Sequence, residues 1–260
     1  MSAAPSPQSP VIEMRDVAVG SMRDQSTLVV EGINWTVMPG EYWVVAGLQG
    51  SGKTDFLMMT AGIMPPAHGD YRLFGEQMPI FEEARLSARL RLGMVFDGGQ
   101  LFNHLTVSEN IALPVQYHHD LTRAQVEGDL QEILEVLELS PWADSTPGAI
   151  GRNWQKRVGL ARSLALRPQV LLIDSPLTGL DLRHMNWWLG FLEQLSKGHK
   201  LLKGRPMTLV VTAADLRFWR GRASHFAILK EKRLTVLGAW QQLEAASQDL
   251  LHEVYEQEKE

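Results

Sequence analysis

The sequence contains no cysteine, which excludes disulfides, thiolate catalysis and zinc sites built on cysteine. It also has no long apolar run. Runs such as residues 170–173 have the length of a strand and fall far short of the about 18 residues that span a bilayer. Cations are in deficit, with 25 Lys and Arg against 30 Asp and Glu. The chain therefore lacks the overall positive field of a nucleic-acid-binding protein, and we expect no nucleic-acid partner.

What is present matches an ordinary globular protein. The 260 residues are 45% hydrophobic and 21% charged, which excludes collagen-like and wholly disordered chains. Residues 1–9 are rich in Ser, Pro and Ala and predict a disordered lead-in. This segment lacks the basic and apolar pattern of a signal peptide, so we expect a cytoplasmic protein. Residues 10–245 are expected to form a single domain, and residues 246–260 a charged C-terminal tail.

Short apolar or alternating runs predict strands near both ends of the chain. They are expected at residues 11–19, 27–37, 42–46, 71–74, 92–96, 170–174 and 208–212, with a hairpin at 226–229 and 234–237 that turns at Glu231 and Lys232. Between residues 101 and 167 the apolar spacing becomes helical, and Thr122 with Gln125 predicts a capping box. A last helix is expected at about residues 240–256. Strands on both sides of a helical block predict an α/β core interrupted by a helical subdomain at about residues 101–167.

Residues 47–54, GLQGSGKT, fit the phosphate-loop pattern G-x-x-x-x-G-K-[S/T] between a predicted strand and a predicted helix. The pattern needs glycines because the backbone must curl until several N–H groups point at one anion. Lys53 is expected to reach the β- and γ-phosphates, and the Thr54 hydroxyl to bind Mg²⁺. The carboxylate of Asp55 either repels the nucleotide or faces away from it. The predicted nucleotide-binding residues are Gly47, Gln49, Gly50, Ser51, Gly52, Lys53, Thr54 and Asp55.

The apolar run at residues 171–173 ends in Asp174 and predicts the second half of this site. A buried strand with this pattern delivers a carboxylate to the metal, directly or through water. Many buried strands end in aspartate, so the run gains its meaning from the phosphate loop that accompanies it. Asp174 is therefore a predicted metal ligand together with Thr54.

Further segments resemble the ATP-binding subunits of ABC transporters over residues 11–243. They are residues 94–96 with LFNHLTV at 101–107, RVGLARSLA at 157–165, and 171–181 with Gly179, Leu180 and Asp181. The segment SENIALP at 108–114 resembles bacterial importers and the lipid-trafficking ATPases that partner MCE proteins. The resemblance implies a P-loop NTPase fold: a RecA-like α/β core with an antiparallel β subdomain and an inserted helical subdomain. It also implies ATP and Mg²⁺ as cofactors, and a homodimer or heterodimer bound to an integral membrane permease at the inner face of the cell membrane.

Several positions depart from the pattern of the resembled family. Asp97 stands at the Q-loop glutamine, which makes it a third predicted metal ligand, and residues 150–154 replace the signature L-S-G-G-Q. Ser175 stands at the glutamate that activates water, and Ala213 at the switch histidine. No aromatic residue for stacking on adenine occurs at residues 19–24. These departures bear on hydrolysis more than on binding.

A serine hydroxyl is no base at pH 7, and losing a general base typically costs about 10²–10⁴ in rate. Losing a transition-state hydrogen-bond donor such as the switch histidine typically costs about 10²–10³. We therefore expect an ATP-binding subunit for a lipid or another hydrophobic cargo, with weak or no hydrolysis and no assigned catalytic residue. The alternative is a soluble regulatory or scaffolding pseudo-ATPase without a permease. In a compensating interpretation, Asp97 binds Mg²⁺ and Asp215 or Asp181 assists the water.

Overall fold

The computed structural model describes residues 9–78 and 86–242. The chain divides into two compact units, and the second unit spans Leu90–Met207. The first unit contains the described residues on either side of that range. The predicted tail at residues 246–260 lies outside the described residues. So do all but one residue of the predicted lead-in at 1–9 and most of the predicted helix at 240–256.

The elements are labelled in chain order. The strands are β1 Ile12–Gly20, β2 Leu28–Val37, β3 Tyr42–Ala46, β4 His68–Leu73, β5 Glu76–Gln77, β6 Leu92–Val95, β7 Val170–Ile173, β8 Thr208–Ala213, β9 His225–Lys230 and β10 Arg233–Gly238. The helices are α1 Lys53–Thr60, α2 Leu86–Arg89, α3 Val107–His119, α4 Arg123–Val136, α5 Arg152–Leu164 and α6 Leu182–Lys197. No helix within the described ranges is long and apolar enough to cross a membrane.

In the first unit the strands lie in the order β5-β4-β1-β2-β10-β9-β3-β8. β1 is antiparallel to β2 and to β4, whereas β3 is parallel to both β8 and β9. Every residue of β3 and β8 is buried, which explains their continuous apolar sequences, because parallel strands are covered on both faces. Much of β2 alternates between buried and exposed residues, as expected for a sheet with one solvated face.

In the second unit β6 and β7 are parallel neighbours, with Leu92 opposite Val170. α5 packs tightly against the turn after β6: a Cβ at Gly159 would lie 2.7 Å from the Cα of Gly99, so only glycine fits there. The predicted capping box of α4 is confirmed, and Gln125 Oε1 accepts the Thr122 N–H at 2.8 Å. A second capping box at Thr106 and Glu109 begins α3 and was not predicted.

The predicted strands agree with the observed ones to within one to three residues at their ends. The hairpin of β9 and β10 turns at Glu231 and Lys232, both at positive φ (49° and 61°). β4 begins at His68, three residues before the predicted start, because an irregularity in β1 lets His68 pair with Ala18. The short elements β5 and α2 were not predicted, since two- and four-residue segments carry no measurable periodicity.

Candidate functional site

The phosphate-loop residues lie between β3 and α1 in the first unit, as the sequence predicts. Gly50 and Gly52 have φ values of 80° and 90°, the left-handed region that glycine adopts without a steric penalty. α1 begins at Lys53 directly after Gly52. Since the first N–H groups of a helix have no partner within the helix, this curl leaves donors for an anion at the start of α1.

The Lys53 ammonium group lies across the loop. Its Nζ donates to the carbonyl oxygens of Gly47 at 2.5 Å and Leu48 at 2.7 Å. The Ser51 hydroxyl is buried and makes no hydrogen bond with the described residues. A buried polar atom without a partner is uncommon in proteins. A cation, a free hydroxyl and helix N–H groups in one loop fit the charge and the acceptor oxygens of a polyphosphate.

Asp55 contacts the segment that joins β1 and β2. Its Oδ1 accepts the backbone N–H of Met22 at 2.7 Å. The carboxylate is thus occupied by a backbone donor, which favours the interpretation in which it faces away from a nucleotide. The Met22 side chain is 56% exposed and is the largest apolar group that this short segment presents to solvent.

Ala213, at the position of the switch histidine, ends β8 beside the phosphate loop. Its carbonyl oxygen accepts the N–H of Gly47 at 3.1 Å, and its methyl group offers neither a donor nor an acceptor. Asp215, one of the carboxylates considered for compensation, is held by Arg217: the guanidinium Nε donates to its two oxygens at 3.0 and 2.8 Å. Within the first unit the structure thus brings the loop and Ala213 together and pairs Asp215 elsewhere.

In the second unit, Asp174 follows β7 and is 4% exposed. Its backbone N–H donates to the carbonyl oxygen of Val95 at 2.8 Å, which extends the ladder between β6 and β7 by one residue. Ser175 comes next and has a positive φ of 45°. Its hydroxyl donates to Asp174 Oδ1 at 3.3 Å, so the group at the glutamate position contacts the predicted metal ligand.

Asp97 lies against Lys156 of α5, with Nζ and Oδ1 2.7 Å apart. The Lys156 side chain is 3% exposed and that of Asp97 36% exposed. The same Nζ donates to the carbonyl oxygens of Thr178 at 2.7 Å and Ser175 at 3.3 Å. Sequence reasoning missed Lys156. A signal existed, because Lys156 precedes the buried Leu160 by four residues and therefore shares its face of α5.

The residues that replace the signature begin α5 and make contacts inside their own unit. Asn153 Nδ2 lies 3.3 Å from His184 Nδ1, and the Trp154 ring meets the His184 ring edge to face at 5.6 Å. His184 Nδ1 in turn lies 2.8 Å from Asp181 Oδ2. The His184 backbone N–H, followed by its ring, lowers the pKa of Asp181 below its ordinary value. Arg152 is exposed.

A tight metal cluster is absent from the part of the chain that the structure describes: no three His, Asp or Glu residues are close enough to hold an ion together. Magnesium does not need such a cluster, since it is usually bound by one or two carboxylates with waters and substrate phosphates. The predicted ligands Thr54, Asp174 and Asp97 supply the oxygen atoms that Mg²⁺ prefers. Their metal-binding role stays a prediction.

Comparison with a family model gives a match at residues 30–178, and the family is described as ABC transporter. Three curated relatives extend the similarity over most of the chain. The intermembrane phospholipid transport system ATP-binding protein MlaF of Escherichia coli is 29% identical over 236 residues, covering 90% of this chain and 84% of the relative. The spermidine/putrescine import ATP-binding protein PotA of Trichodesmium erythraeum is 31% identical, covering 82% and 53%. The Nod factor export ATP-binding protein I of Burkholderia pseudomallei is 33% identical, covering 84% and 68%.

Two solved structures share the fold. The first is cbiO1 from Clostridium perfringens, part of the ABC transporter complex cbiONQ, with a TM-score of 0.76 at 19% identity over 95% of both chains. The second is a dimeric ATP-binding cassette in a post-hydrolysis state with bound ADP and Pi, with a TM-score of 0.75 at 24% identity. It covers 86% of this chain and 96% of the other. Both have the mixed α/β fold of P-loop NTPases that the sequence predicts.

Proposed function

Because the chain belongs to the ABC transporter family, we propose that it is the ATP-binding subunit of a membrane transporter and binds MgATP at residues 47–54. The observation that carries this proposal is the curled loop, with the Lys53 ammonium across it and the free Ser51 hydroxyl inside it. The proposed nucleotide-binding residues are Gly47, Gln49, Gly50, Ser51, Gly52, Lys53, Thr54 and Asp55. The Asp55 carboxylate in this set accepts the backbone N–H of Met22.

Thr54 and Asp174 are the proposed oxygen ligands of Mg²⁺. Held there, Mg²⁺ would neutralise the negative charge of the phosphate groups. The protein's own contribution is to supply the Thr54 hydroxyl at the start of α1 and to hold Asp174 at the end of β7. The Ser175 hydroxyl contacts Asp174 Oδ1 and helps to fix the orientation of that carboxylate.

We further propose that hydrolysis is weak or absent. Ser175 and Ala213 offer no base and no imidazole donor, and each missing group typically costs at least about 10² in rate. Asp215, one of the two carboxylates considered for assisting the water, is held by Arg217. Asp181 is likewise engaged in its own unit. It is the N-cap of α6, and its Oδ1 accepts the backbone N–H of His184.

A lipid or another hydrophobic cargo is the proposed substrate class of the transporter. It is supported by the name of the relative MlaF, which belongs to an intermembrane phospholipid transport system, and by the sequence of residues 108–114. The proposed partners are an integral membrane permease and a second ATP-binding chain, identical or different. This places the protein at the inner face of the cell membrane. Co-purification with an integral membrane protein checks the assignment, and a partner-free protein would favour the soluble pseudo-ATPase instead.

The test of nucleotide binding is calorimetric titration of the full chain with MgATP, with turnover measured on the same sample. Lys53→Ala is expected to weaken binding by at least about tenfold, because a charge-assisted contact is typically worth about 1.5–3 kcal/mol. Lys232→Ala is the matched control. Lys232 is an exposed lysine of the same unit, and its Nζ lies 4.0 Å from Glu31 Oε1. Binding heat that is absent, or that Lys53→Ala leaves unchanged, would contradict the proposal. Strong Lys53-dependent turnover would contradict weak hydrolysis.

A further inference from the structure

A buried lysine connects three segments of the second unit. Lys156 extends from α5 to Asp97 in the turn after β6 and to three carbonyl oxygens in the segment after β7. We call Asp97, Lys156 and the carbonyl oxygens of Ser175, Pro176 and Thr178 the Lys156 clamp. These groups meet beyond the carboxyl ends of the parallel strands β6 and β7. That edge of a parallel sheet is where α/β proteins bind their ligands.

The contacts of the clamp account for all three protons of the ammonium group. A lysine ammonium has three donors and no acceptor. Three carbonyl oxygens accept from it, those of Thr178 at 2.7 Å, Ser175 at 3.3 Å and Pro176 at 3.5 Å, and Asp97 Oδ1 lies 2.7 Å from Nζ as its ion-pair partner. Only Asp97 carries a negative charge among them. Removing one partner of a buried ion pair leaves an uncompensated charge, which is strongly unfavourable. Asp97 therefore has a role in this chain that needs no metal.

The segment after β7 contains a residue with an unfavourable backbone conformation. Ser175 keeps a positive φ of 45°, a conformation that a residue with a side chain maintains only when its surroundings determine it. Lys156 binds the carbonyl oxygen of this residue. A second contact from α5 reaches the first turn of α6: Asn153 Nδ2 lies 3.3 Å from His184 Nδ1, which in turn lies 2.8 Å from Asp181 Oδ2, at the end of the segment.

We infer that Asp97 is the counter-ion of Lys156 rather than a ligand of the metal, and that the Lys156 clamp fixes the conformation of residues 175–181, the segment that follows Asp174. Lys156 and Asp97 are thus positioning residues. Their effect on the nucleotide rests on the proposed function. The positioning of residues 175–181 does not, because it follows from contacts within one unit.

The test compares Asp97→Asn with Asp129→Asn in the full-length protein. Asp129 is the matched control, since it pairs with Arg167 at 2.8 Å in the same unit but on the surface, at 65% exposure. The first readout is hydrogen exchange. Asp97→Asn is expected to speed exchange at residues 175–181 by about tenfold, because the segment opens locally more often. Asp129→Asn is expected to leave it unchanged. Unchanged exchange in Asp97→Asn would overturn the clamp.

The second readout is the magnesium dependence of ATP binding, taken as the ratio of affinities measured with Mg²⁺ and with a chelator. A counter-ion role predicts that Asp97→Asn keeps this ratio within about twofold of the wild-type value, whereas loss of even an outer-shell partner of a metal ligand typically costs about 10–100-fold in metal affinity. A collapse of the ratio would make Asp97 a metal ligand and overturn the inference. If the wild-type chain binds no nucleotide at all, the proposed function fails, while the exchange result still decides the clamp.

Lys156 provides an independent variant. Lys156→Met is expected to speed exchange at residues 175–181 as Asp97→Asn does, and the double variant is expected to show little further change, because both substitutions remove one interaction. Additive effects of the two substitutions would contradict a shared role. Should Lys156→Met fail to fold, Asp97→Asn decides alone, since Asp97 is partly exposed and asparagine keeps its size and an oxygen atom that can accept from Lys156.

Discussion

The phosphate loop and the start of α5 both carry motifs of the ABC transporter family, and they have diverged in different ways. The loop keeps the family's sequence and has a curled backbone with an exposed chain at residues 48–50. The start of α5 has lost the family's glycines and serine, and its Asn153 and Trp154 contact His184 of α6 instead. This contrast is the basis of the proposal that the chain binds ATP and hydrolyses it weakly or not at all: the loop matches the resembled family, and the start of α5 does not.

The replacements at the start of α5 are well-packed parts of the second unit. The Arg157 guanidinium lies over the Trp187 ring at 3.7 Å and over the Trp154 ring at 4.6 Å. It also pairs with Glu138 at 2.8 Å. Aromatic rings and a cation packed in this way stabilise a fold. The altered signature therefore contributes to the stability of its own unit.

The largest expected effect is the loss of unfolding free energy when a buried aromatic residue is removed from either unit. Phe56 of α1 and Trp188 of α6 are both fully buried, and truncation to alanine is expected to cost each about 3–5 kcal/mol of unfolding free energy. Phe56→Ala is expected to weaken ATP binding as well, because Phe56 packs on Trp35 beneath the helix that carries Lys53. Denaturant unfolding and nucleotide titration check both variants. We expect Trp188→Ala to leave ATP binding intact, and a folded Trp188→Ala protein that fails to bind ATP would contradict this expectation.

The next largest effect is expected on ATP turnover, when a carboxylate is introduced at residue 175 and an imidazole at residue 213. Ser175→Glu combined with Ala213→His is expected to raise ATP turnover by about 10²-fold, the lower end of what a general base contributes. The control is Ser175→Gln with Ala213→His, which has the same size without a carboxylate and is expected to stay at the background rate. Phosphate release measured with Mg²⁺ decides between them. Equal rates in the two variants would show that the altered signature, and not Ser175, limits turnover.

A smaller effect is expected where the sequence lacks an aromatic residue. Asp55 holds the backbone of Met22 next to α1. We expect Met22→Tyr to raise the affinity for ATP by about 2–10-fold, the equivalent of the 0.5–1.5 kcal/mol of an aromatic pair. The affinity for inorganic tripolyphosphate, which has no base, is expected to stay the same. Calorimetry with both ligands provides the measurement, and a parallel gain for tripolyphosphate would rule out base stacking.

The smallest expected effect concerns acid stability. Asp181 has a pKa below its ordinary value of 3.8, chiefly because the His184 backbone N–H donates to it. A carboxyl group whose folded-state pKa is lowered stabilises the fold above its ordinary pKa and loses that contribution as the pH falls through the folded-state value. Asp181→Asn is expected to flatten the fall of Tm below about pH 4 slightly. Asp144→Asn, at an exposed residue outside α6, is the control. An unchanged Tm profile would contradict the role of this contact.

Much of the fold was predictable because its signals are local. The buried strands β3, β7 and β8 appear in the sequence as short apolar runs, and the capping box at Thr122 indicates where α4 begins. The exact start of β4 was not predictable, because it depends on an irregularity in β1, a strand distant in the sequence. The candidate site divides in the same way. The loop was found from contiguous residues, whereas the partner of Asp97 was not.

Eight consecutive residues are enough to specify the phosphate loop, because they include both its curled glycines and its lysine. The chemistry of Ser175 and Ala213 is also known without the fold, because neither side chain offers a carboxylate or an imidazole. The contacts of Asp97, Asn153 and Asp55 could be found only in the folded chain. Their partners Lys156, His184 and Met22 are distant in the sequence. The local sequence around a charged or amide side chain does not indicate which distant group will lie next to it after folding.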